Sequence, residues 1–145
     1  MATTLRTLVE AVETALEAAP SLGIRKGDGL RGVKSMPQQR GSIGFWVHRE
    51  LTRNLPAQTR NQDVSRVEDI VVITLQARIK PKDQRDSRGD LYDLCDSVLN
   101  RVTELNTSNR KWNPTLVSIR DDLTNEWLRT EMRIRFQRFQ AVGGG

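Results

Sequence analysis

Apolar residues recur with a helical period at the start of the chain. From Thr4 to Ala19, the residues Leu5, Leu8, Val9, Val12, Leu16 and Ala19 form one stripe, with Glu10, Glu13 and Glu17 outside it, which predicts an amphipathic helix. Pro20 and Gly23 stop it. The stretch from there to Gly41 holds five glycines, Pro37 and many basic residues, and it reads as a long mobile loop with no element of its own. The period then changes to two. In "SIGFWVHREL", Ile43, Phe45 and Val47 fall on one face and Trp46 and His48 on the other, so a strand is expected. "TRNLPAQTRNQDVSR", residues 52–66, is polar, contains Pro56 and has no period, so it reads as a second mobile loop. "DIVVITLQARIK" alternates clearly, with Val71, Ile73, Leu75, Ala77 and Ile79 inward and Thr74, Gln76, Arg78 and Lys80 outward.

A second helical stripe follows, through Leu91, Leu94, Cys95, Val98, Leu99, Val102 and Leu105. Ser87, three residues before Asp90, resembles a capping box with Asp in the place of Glu or Gln, and a helix is predicted from about 89 to 105. "NTSNRKWNP" breaks it. "TLVSIRDDL" then predicts a strand with Val117 and Ile119 inward, and "WLRTEMRIRFQRF" sets Met132, Ile134 and Phe136 against Glu131, Arg133, Arg135 and Gln137. Helix, two strands, helix, two strands is an α+β order. It predicts one domain over residues 1–145, with a mixed or antiparallel sheet of about four strands and both amphipathic helices packed on one face.

Composition narrows the function classes. Hydrophobic residues make up 37% and charged residues 28% of the 145, enough apolar surface for a core and too much for a disordered chain. No apolar run approaches the ~20 residues of a membrane helix, and the N-terminus has no basic segment followed by an apolar one, so a soluble protein without membrane contact is expected. One cysteine and one histidine make neither an internal disulfide nor a four-ligand zinc site, and no metal or cofactor is expected. The net charge of +5 permits contact with nucleic acid or an acidic surface without requiring it.

The candidate chemistry is sparse. "GDGLRG", residues 27–32, matches the dinucleotide fingerprint G-x-G-x-x-G, but that motif must follow a strand and open a helix, whereas here it follows a helix and leads to Pro37. It reads as a flexible basic loop. His48, the one imidazole, sits beside Trp46 on the outer strand face and reads as a surface residue rather than a base. Cys95 falls inside the helical stripe, a buried small residue rather than a nucleophile. Asp90 and Asp93 are placed in the opening turn of the second helix, where the dipole favours acids, so with Asp96 they read as structural and not metal-binding. Arg129, Arg133 and Arg135, with Arg78 and Lys80, form a candidate charged sheet face, either solvated or able to meet an acidic partner or DNA phosphates. At least one of Trp46, Trp112 and Trp127 is expected to be exposed enough to anchor a partner. No nucleophile with a base, no metal cluster and no phosphate cradle assembles, so a structural protein is favoured over an enzyme.

Taken together, the opening "TLRTLVEAVETALEAA", the long loop after the first strand, "DIVVITLQARIK" leading into "DLYDLCDSVLNRVTEL", and the closing "TLVSIRDDL" and "WLRTEMRIRFQRFQ" resemble the tail terminator proteins of long-tailed bacteriophages over residues 4–141. The resemblance lies in the order and character of elements. It implies an α+β subunit of a hexameric ring in the virion, assembled in the host cytoplasm, that caps the tail tube protein, ends its polymerisation and offers a surface to the head-tail connector protein. DNA would pass through the central channel without sequence-specific binding. The family brings no catalytic residues. It implies subunit or tube contacts in the two loops, at Arg60, Asp63 and Arg66 and at Arg25 and Lys26.

The alternatives are a neck or head-completion subunit, which shares the ring habit, and, from another class, a small basic nucleic-acid-binding protein or nuclease. The nuclease reading lacks an Asp followed by Glu-x-Lys on an adjoining strand.

Overall fold

The computed structural model describes residues 4–18, 24–26, 43–54, 64–78, 84–105, 112–123 and 127–141. Along the chain these form α1 (Leu5–Glu17), β1 (Ile24–Lys26), β2 (Ile43–Asn54), β3 (Val64–Arg78), α2 (Gln84–Thr103), β4 (Thr115–Leu123) and β5 (Trp127–Ala141). The strands make one sheet in the order β1-β2-β3-β5-β4. β2, β3, β5 and β4 pair antiparallel, and the short β1 adds to β2 in parallel. The fold is α+β.

Each helix buries its predicted stripe. α1 is capped by Thr4, whose side chain accepts from the Thr7 backbone N–H at 3.1 Å, and it buries Leu8, Val12 and Leu16 at four-residue spacing. α2 buries Leu91, Cys95, Val98 and Val102. These side chains meet the alternating residues Phe45, Val47, Val71, Ile73, Leu75, Leu128, Met132, Ile134 and Phe136 in one core, so both helices cover the same face of the sheet. α1 lies over β1 and β2, and α2 lies over β5. Arg101 of α2 ties the helices together by donating to the Ala15 carbonyl at 2.9 Å. No described helix is long and apolar enough to cross a membrane.

Several boundaries differ from the sequence reading. The glycine-rich stretch expected to lack any element contributes β1, because Ile24 packs against the core and its backbone has the open edge of β2 to pair with. The polar stretch 52–66, expected to be loop throughout, is strand at both ends. β2 runs to Asn54 and β3 starts at Val64, since the antiparallel ladder extends through the polar pairs Thr52↔Asp69 and Arg53↔Glu68. Backbone pairing carries a strand past the point where hydrophobic alternation ends. α2 begins at Gln84, so Ser87 falls within the helix and not at its start, and Asp90 sits beyond the opening turn.

Inside and outside also differ from alternation alone. Thr74 and Gln76 keep the outward face that alternation gives them but are buried there at the centre of the sheet, Thr74 between Trp46 and Glu131 and Gln76 beside Arg129. Val117 and Ile119, expected inward, are 45% and 42% exposed, and Leu116 is 36% exposed. β4 is the outermost strand, beyond β5 over which α2 lies, and a register shift between Leu116 and Ser118 leaves Val117 without a partner in the ladder.

Candidate subunit interface and the charged sheet face

The face of the sheet away from the helices carries the predicted arginines. The register places Trp46, Thr74, Glu131 and Arg120 in one row and His48, Val72, Arg133 and Ser118 in the next. Arg129, Arg133 and Arg135 do come together on this face, but each has a glutamate beside it. Arg133 donates to Glu50 at 2.8 Å and lies 3.3 Å from Glu131, which raises its already high pKa, chiefly through the Glu50 hydrogen bond. Arg135 lies 3.0 Å from Glu68, and Arg53 reaches the same oxygen at 2.9 Å. Arg129 is 3.7 Å from Glu131 and stacks 5.4 Å above the centre of the Trp46 ring.

The stripe is therefore a ladder of ion pairs. Its fields largely cancel, which removes the strong positive potential that phosphate attraction would draw on. Arg78 stands opposite Trp127 at the end of the β3–β5 ladder, and Lys80 lies outside the described residues. Of the three tryptophans, Trp46 and Trp112 are buried, the former beneath Arg129, and the side chain of Trp127 lies outside what the structure describes.

On the helix side, at the end of the sheet remote from β1, Asp69 and Arg138 form a buried ion pair at 2.5 Å, and Thr52 also donates to Asp69. Arg66, expected in a loop, sits in β3 and donates to Gln137 of β5. Arg60 and Asp63 lie outside the described residues. Arg25 and Lys26, also expected in a loop, lie in β1.

Among the described residues the candidate catalytic groups stay apart. Cys95 is buried in the core, and its thiol is pushed up to about 11, first by burial and then by Asp121 and Asp96. It remains a neutral thiol at neutral pH. Asp90, Asp93 and Asp96 are exposed on α2, and no group of three or more His, Cys, Asp or Glu among the described residues is placed to hold a metal ion.

The feature that alternation did not reveal is the free edge. Every residue of β4 from Thr115 to Asp122 is exposed, and no described strand pairs with its outer side. Its first half presents Leu116, Val117 and Ile119, and its second half Arg120, Asp121 and Asp122. Asp121 is held in place by Tyr92 at 2.7 Å and Thr130 at 2.9 Å. Asn113, in the left-handed region at φ 40°, turns the chain into this strand, a conformation that asparagine tolerates better than most residues. An exposed apolar edge is a template for strand addition unless a partner covers it.

No protein-family model matches the chain, and no curated protein matches it. Solved structures with partial likeness include the type 4 fimbrial biogenesis protein PilO from Pseudomonas aeruginosa, at 14% identity and a TM-score of 0.35, covering 95% of this chain and 72% of that one. A protein from Akkermansia muciniphila is similar at 11% identity and a TM-score of 0.34 over 97% of this chain and 80% of its own length. Scores at this level do not establish a common fold.

Proposed function

We propose that this chain is a structural ring subunit of a long-tailed phage virion: a tail terminator that caps the tail tube, ends its polymerisation and presents a surface for joining to the head. The reading rests on the resemblance in element order. The observation that carries its physical side is the uncovered β4 edge, with Leu116, Val117 and Ile119 exposed. A ring subunit needs such a surface. Weak contacts repeated around a closed ring become strong because each added contact is intramolecular once the ring is nearly complete. In this reading the protein does no chemistry, binds no cofactor, and lets DNA pass through the central channel.

The test is native mass spectrometry with negative-stain imaging over a range of protein and salt concentrations, followed by mixing with polymerising tail tube protein. Closed six-fold rings that bind tube ends and shorten the tubes are the expected result. Rings that bind only the head-side connector would move the assignment to a neck subunit. A monomer that never associates, alone or with tubes, would sink the ring reading.

A further inference from the structure

The two outer strands of the sheet match each other level by level. Following the register across all five strands gives three complete rows: Ile24–Ile43–Ala77–Leu128–Leu123, Arg25–Gly44–Gln76–Arg129–Asp122, and Lys26–Phe45–Leu75–Thr130–Asp121. Each row ends in a complementary pair. The β1 edge offers an apolar residue and two cations, and at the same levels the β4 edge offers an apolar residue and two anions. Residues in one row share a face of the sheet, so each cation falls on the same face as the anion at the far end of its row.

Strand direction also fits. β1 runs with β2, β3 runs against them, β5 runs with them, and β4 runs against them. A rotation about an axis roughly along the strands preserves these directions. It would set β1 of one copy antiparallel to β4 of the next, and keep the helix-covered face on the same side in every copy. Such a contact joins two different surfaces, so it closes into a ring when the rotation divides the circle.

We infer that β4 of one copy pairs antiparallel with β1 of the next, with Arg25 against Asp122, Lys26 against Asp121 and Ile24 against Leu123, making the sheet continuous around the ring. The occupant of the free edge is thus a second copy of this chain. This rests on the ring reading above and adds its seam. The pairing uses backbone groups that no described strand of the same chain satisfies.

Cysteine cross-linking tests the register directly. The chain carrying both Arg25→Cys and Asp122→Cys, oxidised under assembly conditions, is expected to give a ladder of disulfide-linked species on non-reducing gels, ending at the closed ring. Neither single variant should give the ladder. In parallel, Asp121→Lys with Asp122→Lys is expected to abolish rings while the monomer keeps its circular dichroism, at a lower melting temperature because Asp121 gives up its hydrogen bonds from Tyr92 and Thr130. Adding Arg25→Asp and Lys26→Asp to that chain should restore them. Wild-type rings that survive the lysine pair, or that give no ladder in the double-cysteine chain, overturn the seam and leave the ring reading standing. A wild-type chain that stays monomeric in every condition, tube ends included, overturns both.

Discussion

β5 and β4 lie side by side, pair antiparallel and contain comparable apolar residues, yet they occupy opposite physical situations. From Leu128 to Arg138, every second side chain of β5 is buried, and Met132, Ile134 and Phe136 have no exposure at all. In β4 every residue from Thr115 to Asp122 is exposed. The difference comes from neighbours and not from composition. β5 has β3 on one side, β4 on the other and α2 above, whereas β4 has β5 on one side, a hydrogen bond from Tyr92, and no described strand on the other side. A strand gains hydrophobic stabilisation only where something covers it, so β5 carries the core while the β4 side chains add little to it.

Substitutions should separate the two strands clearly. Phe136→Ala removes a fully buried ring and should cost about 3–5 kcal/mol of unfolding free energy. A loss below ~1 kcal/mol in urea denaturation would mean that β5 is not the centre of the core. Arg138→Ala should cost a similar amount, about 3–5 kcal/mol, because it leaves Asp69 buried without its ion-pair partner. Replacing both partners with apolar residues of similar volume should recover most of that loss, a contrast that denaturant titration of the two variants would reveal.

The cover over β5 gives a pH-dependent prediction. The Cys95 thiol is raised in the folded chain from 9.0 to about 11, chiefly by burial. The folded state therefore holds the proton more tightly than the unfolded one. The stability linked to it is complete below pH 9 and declines as pH rises towards about 11. Cys95→Ala should flatten this alkaline decline, at some loss of packing. An unchanged slope between those pH values would show that the thiol is not the group responsible.

Smaller effects belong to the open face and the edge. The Glu50–Arg133 pair is partly exposed, with side chains 43% and 24% accessible, and a double-mutant cycle should return at most ~1 kcal/mol, diminishing with salt. A coupling several times larger would show that this face is covered in solution. Ile119→Ala should change monomer stability least, by about 0.5 kcal/mol or less, because its side chain is already wet. Measured on assembled protein, the same substitution should weaken association. Equal effects in the monomer and the assembly would end the division of labour between β5 and β4.

Much of the architecture was legible in the chain. The stripes Leu8–Val12–Leu16 and Leu91–Cys95–Val98–Val102 and the alternation through Val71, Ile73 and Leu75 needed only the helical and strand periods, which are local properties. The α+β order followed from them. The charged face was half legible: Arg129, Arg133 and Arg135 do share one side of β5, as alternation requires. Their neutralisation was hidden, because Glu50 and Glu68 reach them across strand pairs and at a bulge in β2. Sequence distance carries no information about such partners.

The sequence by itself determined the two helices, the apolar parts of the four long strands and which side chains have a chance of burial, since backbone periodicity sets these. Tertiary structure alone decided that Ile24–Lys26 adds a fifth strand, that Thr74 and Gln76 are buried on the outward face while Val117 and Ile119 stay exposed, and that acids and bases end the same rows on opposite edges. Those outcomes depend on strand order and on where each helix stops covering the sheet. Both are set by packing between segments far apart in the chain.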